Sequence, residues 1–192
     1  MNFLAHLYLS GDNEEVLVGN FIGDFVKGSQ MSEYPGAIQK GIRLHRSIDH
    51  FTDTHEVVLQ SKIRLREKFR HYAPVIVDVY YDHFLAKDWS LFSKIPLKEY
   101  TENFYQLMNR YFGIIPKGVI HMLSFMSKDN WLYNYQFIEG IDRALTGMSK
   151  RTKYENRMDE ASIALKEHYN DFQKEFDEFF PELETHVNNF EA

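Results

Sequence analysis

Cysteine is absent from the chain. That excludes disulfides, thiolate zinc sites and thiol nucleophiles, and a reducing, cytoplasmic location is the default expectation. Long apolar runs are also missing. No segment approaches the roughly 18 uninterrupted apolar residues that would cross a bilayer, so no membrane partner is expected. The opening MNFLAHLYLS is apolar, but it has no positively charged n-region or small-residue cleavage site and it contains His6, so it reads as structure. There is no surplus of basic charge: the formal net charge of −6 argues against broad nucleic-acid binding, which needs Lys and Arg to neutralise phosphates. Finally, no repeat, low-complexity tract or long linker divides the chain, and no alternating strand ends in a hairpin turn. A single all-α domain over residues 1–192 is expected.

An apolar share of 44%, with 16 Phe and 12 Tyr, is enough for one substantial core. The periodicity predicts a short helix over Asn2 to Leu9 and a break at Ser10-Gly11-Asp12, in which Asp12 caps the second helix. That helix covers about Asn13 to Val26 and carries Leu17, Phe21 and Asp24 on one stripe. After the turn Tyr34-Pro35-Gly36 comes a helix containing Gly41 to Asp53. A helix over Glu56 to Arg70 should cover the core with Leu59, Ile63 and Phe69. The next runs from Ala73-Pro74 to about Lys87. Further helices are expected over Leu97 to Phe112, Val119 to Met126 and Trp131 to Leu145, with Gly147 as a stop. Residues 158–189 read as one long terminal helix, with Ile163 among its apolar positions and Pro181 kinking or interrupting it.

What stands out within this helical pattern is a set of acids and imidazoles at inward positions. His45 and Asp49 are four residues apart, on a stripe with Ile38 and Ile42. Asp78 and Asp82 repeat the spacing and His83 comes next, inside the otherwise apolar VIVDVYYDHFL. His6 and Asp24 complete the candidates. A lone inward His is usually a satisfied structural residue and a lone Asp at a helix start is usually a cap. Several Asp residues inside helices, where propensity is poor, need a shared cause. Burying one unpaired carboxylate costs several kcal/mol, and a divalent cation or a network with Arg43, Arg46 or Arg64 would offset it. Oxygen and imidazole donors without sulfur suit manganese, iron, magnesium or zinc. The Glu-x-x-His pairs of diiron bundles and the H-E-x-x-H of zincins are both absent. Metal-assisted phosphate-ester hydrolysis is the chemistry that remains.

Five blocks carry a resemblance: MNFLAHLYLS, GNFIGDFVKG, GIRLHRSIDHFTD, APVIVDVYYDHFLAKDW and NWLYNY with GIDRALTGMSKR. In order, over about residues 1 to 151, they resemble the acyl carrier protein phosphodiesterases. The resemblance implies a divergent HD-domain-like helical fold. It also implies a manganese-dependent reaction in which 4′-phosphopantetheine is hydrolysed from a serine of holo-acyl carrier protein. Block by block it implies Asp24, His45, Asp49, Asp78 and Asp82 as metal ligands and His6, Arg46 and His83 as catalytic groups. The contiguous His-Asp dyad of the HD superfamily is missing; His45-x-x-x-Asp49 and the reversed Asp82-His83 stand in its place. An acidic carrier should dock where this acidic chain concentrates positive charge: the stripe Lys62, Arg66 and Arg70, and the segment Lys150, Arg151 and Lys153. The alternatives are an HD-type nucleotide or small-molecule phosphodiester hydrolase and a non-catalytic helical binding protein.

Overall fold

In α3 (Gly36–Thr54), Ile38, Ile42, His45 and Ile48 are all buried, as the inward stripe requires. The computed structural model describes residues 1–191, and around α3 it places α1 (Phe3–Tyr8), α2 (Glu14–Ile22), α4 (Glu56–Phe69) and α5 (Ala73–Lys87). The rest of the chain adds α6 (Leu97–Arg110), α7 (Lys117–Met126), α8 (Trp131–Asn134), α9 (Ile138–Ser149), α10 (Ala161–Glu167) and α11 (Tyr169–Asn188). Short 3₁₀ turns connect several of these, including Gly23–Phe25 after α2. The described residues contain no strand, so the fold is all-α. No helix among them is long and apolar enough to cross a membrane.

The core is continuous and strongly aromatic, and its largest contributors come from α5 and α11. Tyr80, Tyr81 and Phe84 of α5 pack edge-on or tilted against Phe172, Phe176 and Phe179 of α11. α2 and α3 cross at two glycines. A Cβ on Gly19 would stand 2.1 Å from the Ile38 carbonyl oxygen, and one on Gly41 2.1 Å from that of Val16. Only glycine permits so close an approach, and it draws the end of α2 onto the middle of α3.

Several expected boundaries move. α2 is capped by Asn13, whose side chain accepts from the Val16 amide at 3.0 Å, rather than by Asp12. It ends at Ile22, so Asp24 lies on the 3₁₀ turn and is exposed instead of facing the core. In α4 the buried positions are Val57, Val58, Ser61, Leu65 and Phe69. Leu59 and Ile63 lie about half a turn from that stripe and are 41% and 67% exposed, so of the three residues expected in the core only Phe69 is there. The helix expected over Trp131 to Leu145 breaks at Tyr135–Phe137, and the Tyr135 carbonyl, which would accept from Glu139 in a continuous helix, accepts from His83 Nδ1 at 2.7 Å. Gly147 lies inside α9 and is no stop.

The terminal stretch is two helices joined at His168, because α10 packs on α9 whereas α11 packs on α3, α4 and α5. Ile163 is 51% exposed. Pro181 neither ends nor interrupts α11: it sits at an exposed position, and the hydrogen bond it deletes would have used the carbonyl of the exposed Asp177, where water can substitute.

Candidate active site

Two imidazoles from different helices are stacked on one another. The rings of His6 in α1 and His45 in α3 have centroids 4.1 Å apart and planes 20° apart. Like-charged rings would repel at that separation, so both cannot carry a proton comfortably. Their Nδ1 atoms are held by one residue. His6 Nδ1 lies 2.8 Å from Asn20 Oδ1, and His45 Nδ1 lies 2.8 Å from the Asn20 backbone oxygen. A carbonyl oxygen can only accept, so each Nδ1 donates and in the neutral ring each Nε2 keeps its lone pair.

Both Nε2 atoms face carboxylates. His6 Nε2 is 3.1 Å from Asp49 Oδ1, and His45 Nε2 is 3.1 Å from Asp49 Oδ2 and 3.1 Å from Asp24 Oδ1. One donor atom from each of His6, His45 and Asp49 lies within 4.8 Å of the others. Gly23 makes room for this: a Cβ there would stand 2.3 Å from His45 Cγ. The histidine side chains are 3% and 6% exposed, against 36% for Asp49 and 69% for Asp24, so the cluster opens to solvent on its carboxylate side.

The electrostatics reflect this packing. Burial works against charge on both imidazoles. For His45, the bonds to Asp24 and Asp49 outweigh burial and raise it to about 9. For His6, burial wins and its pKa falls, with the neighbouring His45 contributing. Asp49 is also penalised by burial, yet the bonds from both histidines hold its carboxyl well below the usual range. Asp24 is held down chiefly by His45.

The remaining expected ligands separate. Asp78 joins the edge of the cluster: the Met1 nitrogen lies 3.3 Å from Asp78 Oδ1 and 3.6 Å from Asp49 Oδ1. Asp78 Oδ1 is buried, and its partner is the Met1 ammonium. Two imidazole nitrogens and a carboxylate within reach of one another fit a divalent cation. Asp82 does not fit the same role. Its two oxygens accept from the Leu4 and Ala5 amides at 2.7 and 3.1 Å, so a fully buried carboxylate caps α1 from another helix. Burial pushes it up to about 7 against the pull of those amides. A helix of six residues is marginal alone, and this cap fixes the one that bears His6.

His83 is also spent elsewhere. Its Nδ1 donates to the Tyr135 carbonyl at 2.7 Å and its Nε2 lies 2.9 Å from the Tyr169 hydroxyl, tying α5 to α11. Both ring nitrogens thus have partners within the fold. Arg46 is exposed, and its Nη2 donates to the Val26 carbonyl at 3.1 Å, which braces the turn bearing Asp24. Of the expected docking cations, Lys62 pairs with Asp53 at 2.7 Å. Arg66, Arg70, Lys150, Arg151 and Lys153 are exposed. Asn20 is the functional residue that sequence reasoning misses. An amide in the interior of the apolar run VLVGNFIG breaks helix propensity just as the inward aspartates do, and the same test applied to amides finds it.

The chain matches the acyl carrier protein phosphodiesterase family model over residues 1–183. Curated proteins of that name from Klebsiella pneumoniae and Escherichia coli are 33% and 32% identical to it, with 95% of each chain covered. Another from Photorhabdus laumondii is 30% identical over 98% of this chain and 96% of its own. No solved structure matches significantly. A family match that runs through the helices bearing His6, Asn20, Asp24, His45, Asp49 and Asp78 leaves one conclusion: the chain belongs to the acyl carrier protein phosphodiesterase family.

Proposed function

We propose that this chain hydrolyses the phosphodiester between 4′-phosphopantetheine and a serine of holo-acyl carrier protein, yielding apo-carrier, in the cytoplasm and with a divalent cation, foremost manganese. The observation that carries the reading is the pair of stacked imidazoles, each with Nδ1 engaged by Asn20 and Nε2 turned toward Asp49, in a chain with full-length family membership. His6, His45 and Asp49 would hold the cation, with Asp24 and Asp78 at its margin. When bound, the cation would supply Lewis acidity, lowering the pKa of water and offsetting charge on the phosphoryl oxygens.

The chain's own groups divide the remaining work. Asn20 fixes both ring orientations and tautomers, so neither histidine must reorganise to present a lone pair. Asp49 joins the two rings and keeps its negative charge through them. Asp24, on the solvent side, is the acid best placed to take or orient a proton from an attacking water. Arg46 keeps that turn in position. Incubating the protein with holo-carrier and manganese, and reading the carrier by mass spectrometry, tests the proposal. Loss of the mass of the prosthetic arm is the expected result. Full activity after exhaustive chelation would refute the metal dependence. Cleavage of free nucleotides with holo-carrier left intact would replace the carrier by a small phosphodiester.

A further inference from the structure

The bond in question lies at the root of the prosthetic arm, on the serine oxygen, and this constrains where the carrier can sit. An enzyme acting on the thiol end could hold its carrier an arm's length away. Here the phosphorus is bonded through a single oxygen to the serine side chain, so the carrier's surface must press against the rim of the donor cluster.

That rim can be located. Asp24 is its most exposed acid, and its neighbour Phe25 is 36% exposed. A Cβ on Gly118 would come within 3.6 Å of the Phe25 ring, so the first residues of α7, Lys117 and Gly118, flank the same turn. Lys27 lies just past the turn, and Arg46 is bonded to its Val26 carbonyl. Lys27, Arg46 and Lys117 are all exposed, and none forms an ion pair among the described residues.

The α4 side is different, because most of its cations are already neutralised. Lys62 pairs with Asp53, Arg64 with Glu175 and Lys68 with Glu160, which leaves Arg66 and Arg70. In a chain of net charge −6, a group of unpaired cations around one opening is where an acidic protein would be drawn and oriented.

We propose that the acidic carrier docks on this cationic collar of Lys27, Arg46 and Lys117 on the Asp24 side, and that the α4 stripe is not its docking surface. The inference rests on the proposed carrier hydrolysis. Steady-state kinetics of the manganese-bound protein on holo-carrier, at low and high salt, compares two charge reversals: Lys27→Glu with Lys117→Glu, and Arg66→Glu with Arg70→Glu. The collar reversal should raise KM about tenfold at low salt, with the gap closing at high salt, and the α4 reversal should leave KM within about twofold. Circular dichroism should show both variants as helical as the parent. An unchanged KM in the collar variant at low salt, or an equal rise in the α4 variant, overturns the docking surface while the reaction stands. Failure of the unaltered protein to release the arm from holo-carrier removes the reaction itself, and the docking surface with it.

Discussion

His45 and His83 start from the same position in chemistry and end in different places. Each is buried on a helix and each donates from Nδ1 to a backbone carbonyl, of Asn20 and Tyr135 respectively. The difference is what the other nitrogen meets. His45 Nε2 faces two carboxylates and a stacked imidazole, whereas His83 Nε2 faces a single tyrosine hydroxyl. The aspartates diverge in the same way: Asp49 is shared between two rings at a partly open face, and Asp82 is closed on the amides of α1. Residue type and burial therefore do not mark a site. Convergence of unspent lone pairs does.

The largest separation between the two regions is expected on removing Asp49. Asp49→Ala should lower turnover by well over a hundredfold, since loss of a residue that merely supports a ligand already costs about 10–100-fold, and helical circular dichroism should persist. Elemental analysis of the purified variant should show reduced bound metal. If it retains full metal and activity, the contrast with α5 is lost. Asn20→Leu comes next. Freeing His6 Nδ1, while His45 Nδ1 keeps its bond to the backbone carbonyl of residue 20, should weaken metal affinity by about 10–100-fold, read by calorimetric titration.

On the α5 side the readout should move from metal to stability. His83→Leu leaves the Tyr135 carbonyl without its partner, for about 1–3 kcal/mol in a denaturant titration, with metal affinity within about twofold. A collapse of metal binding in that variant would return His83 to the site. A further effect concerns pH. In chelated protein the folded pKa of His45 is about 9, above the unfolded 6.5. The stabilisation this gives is complete below about 6.5 and disappears as pH rises through about 9. Metal affinity should run the other way and strengthen toward pH 9, because the cation needs the unprotonated Nε2. Thermal midpoints with chelator and with manganese across that window check both signs.

Much of the molecule is legible in the sequence for identifiable reasons. The stripe of Ile38, Ile42, His45 and Asp49 emerges from a period that any helix must obey, and α3 keeps it. Leu59 and Ile63 mislead because apolar residues occur on exposed faces too, and identity alone does not give phase. Asp82 and His83 show a different limit of the sequence. Their sequence context matches that of ligands, but their partners are the Leu4 and Ala5 amides, the Tyr135 carbonyl and the Tyr169 hydroxyl, all distant in sequence. Backbone amides and carbonyls are present in every residue and leave no trace in composition. Asn20 shows in the sequence only as a misplaced amide; that its side chain and its own carbonyl serve two rings from separate helices is decided by the fold.

By itself, the order of residues determined that the chain is helical, that its acids and imidazoles point inward in several helices, and which family its blocks resemble. Those properties come from local periodicity and residue chemistry. Only the tertiary structure decided which inward groups meet. The glycine crossing of α2 on α3 sets how deeply His45 approaches Asn20, and the Asp82 cap sets where α1 places His6. A lone pair becomes useful or spent according to neighbours that the fold, and not the adjacent sequence, brings within about 3 Å.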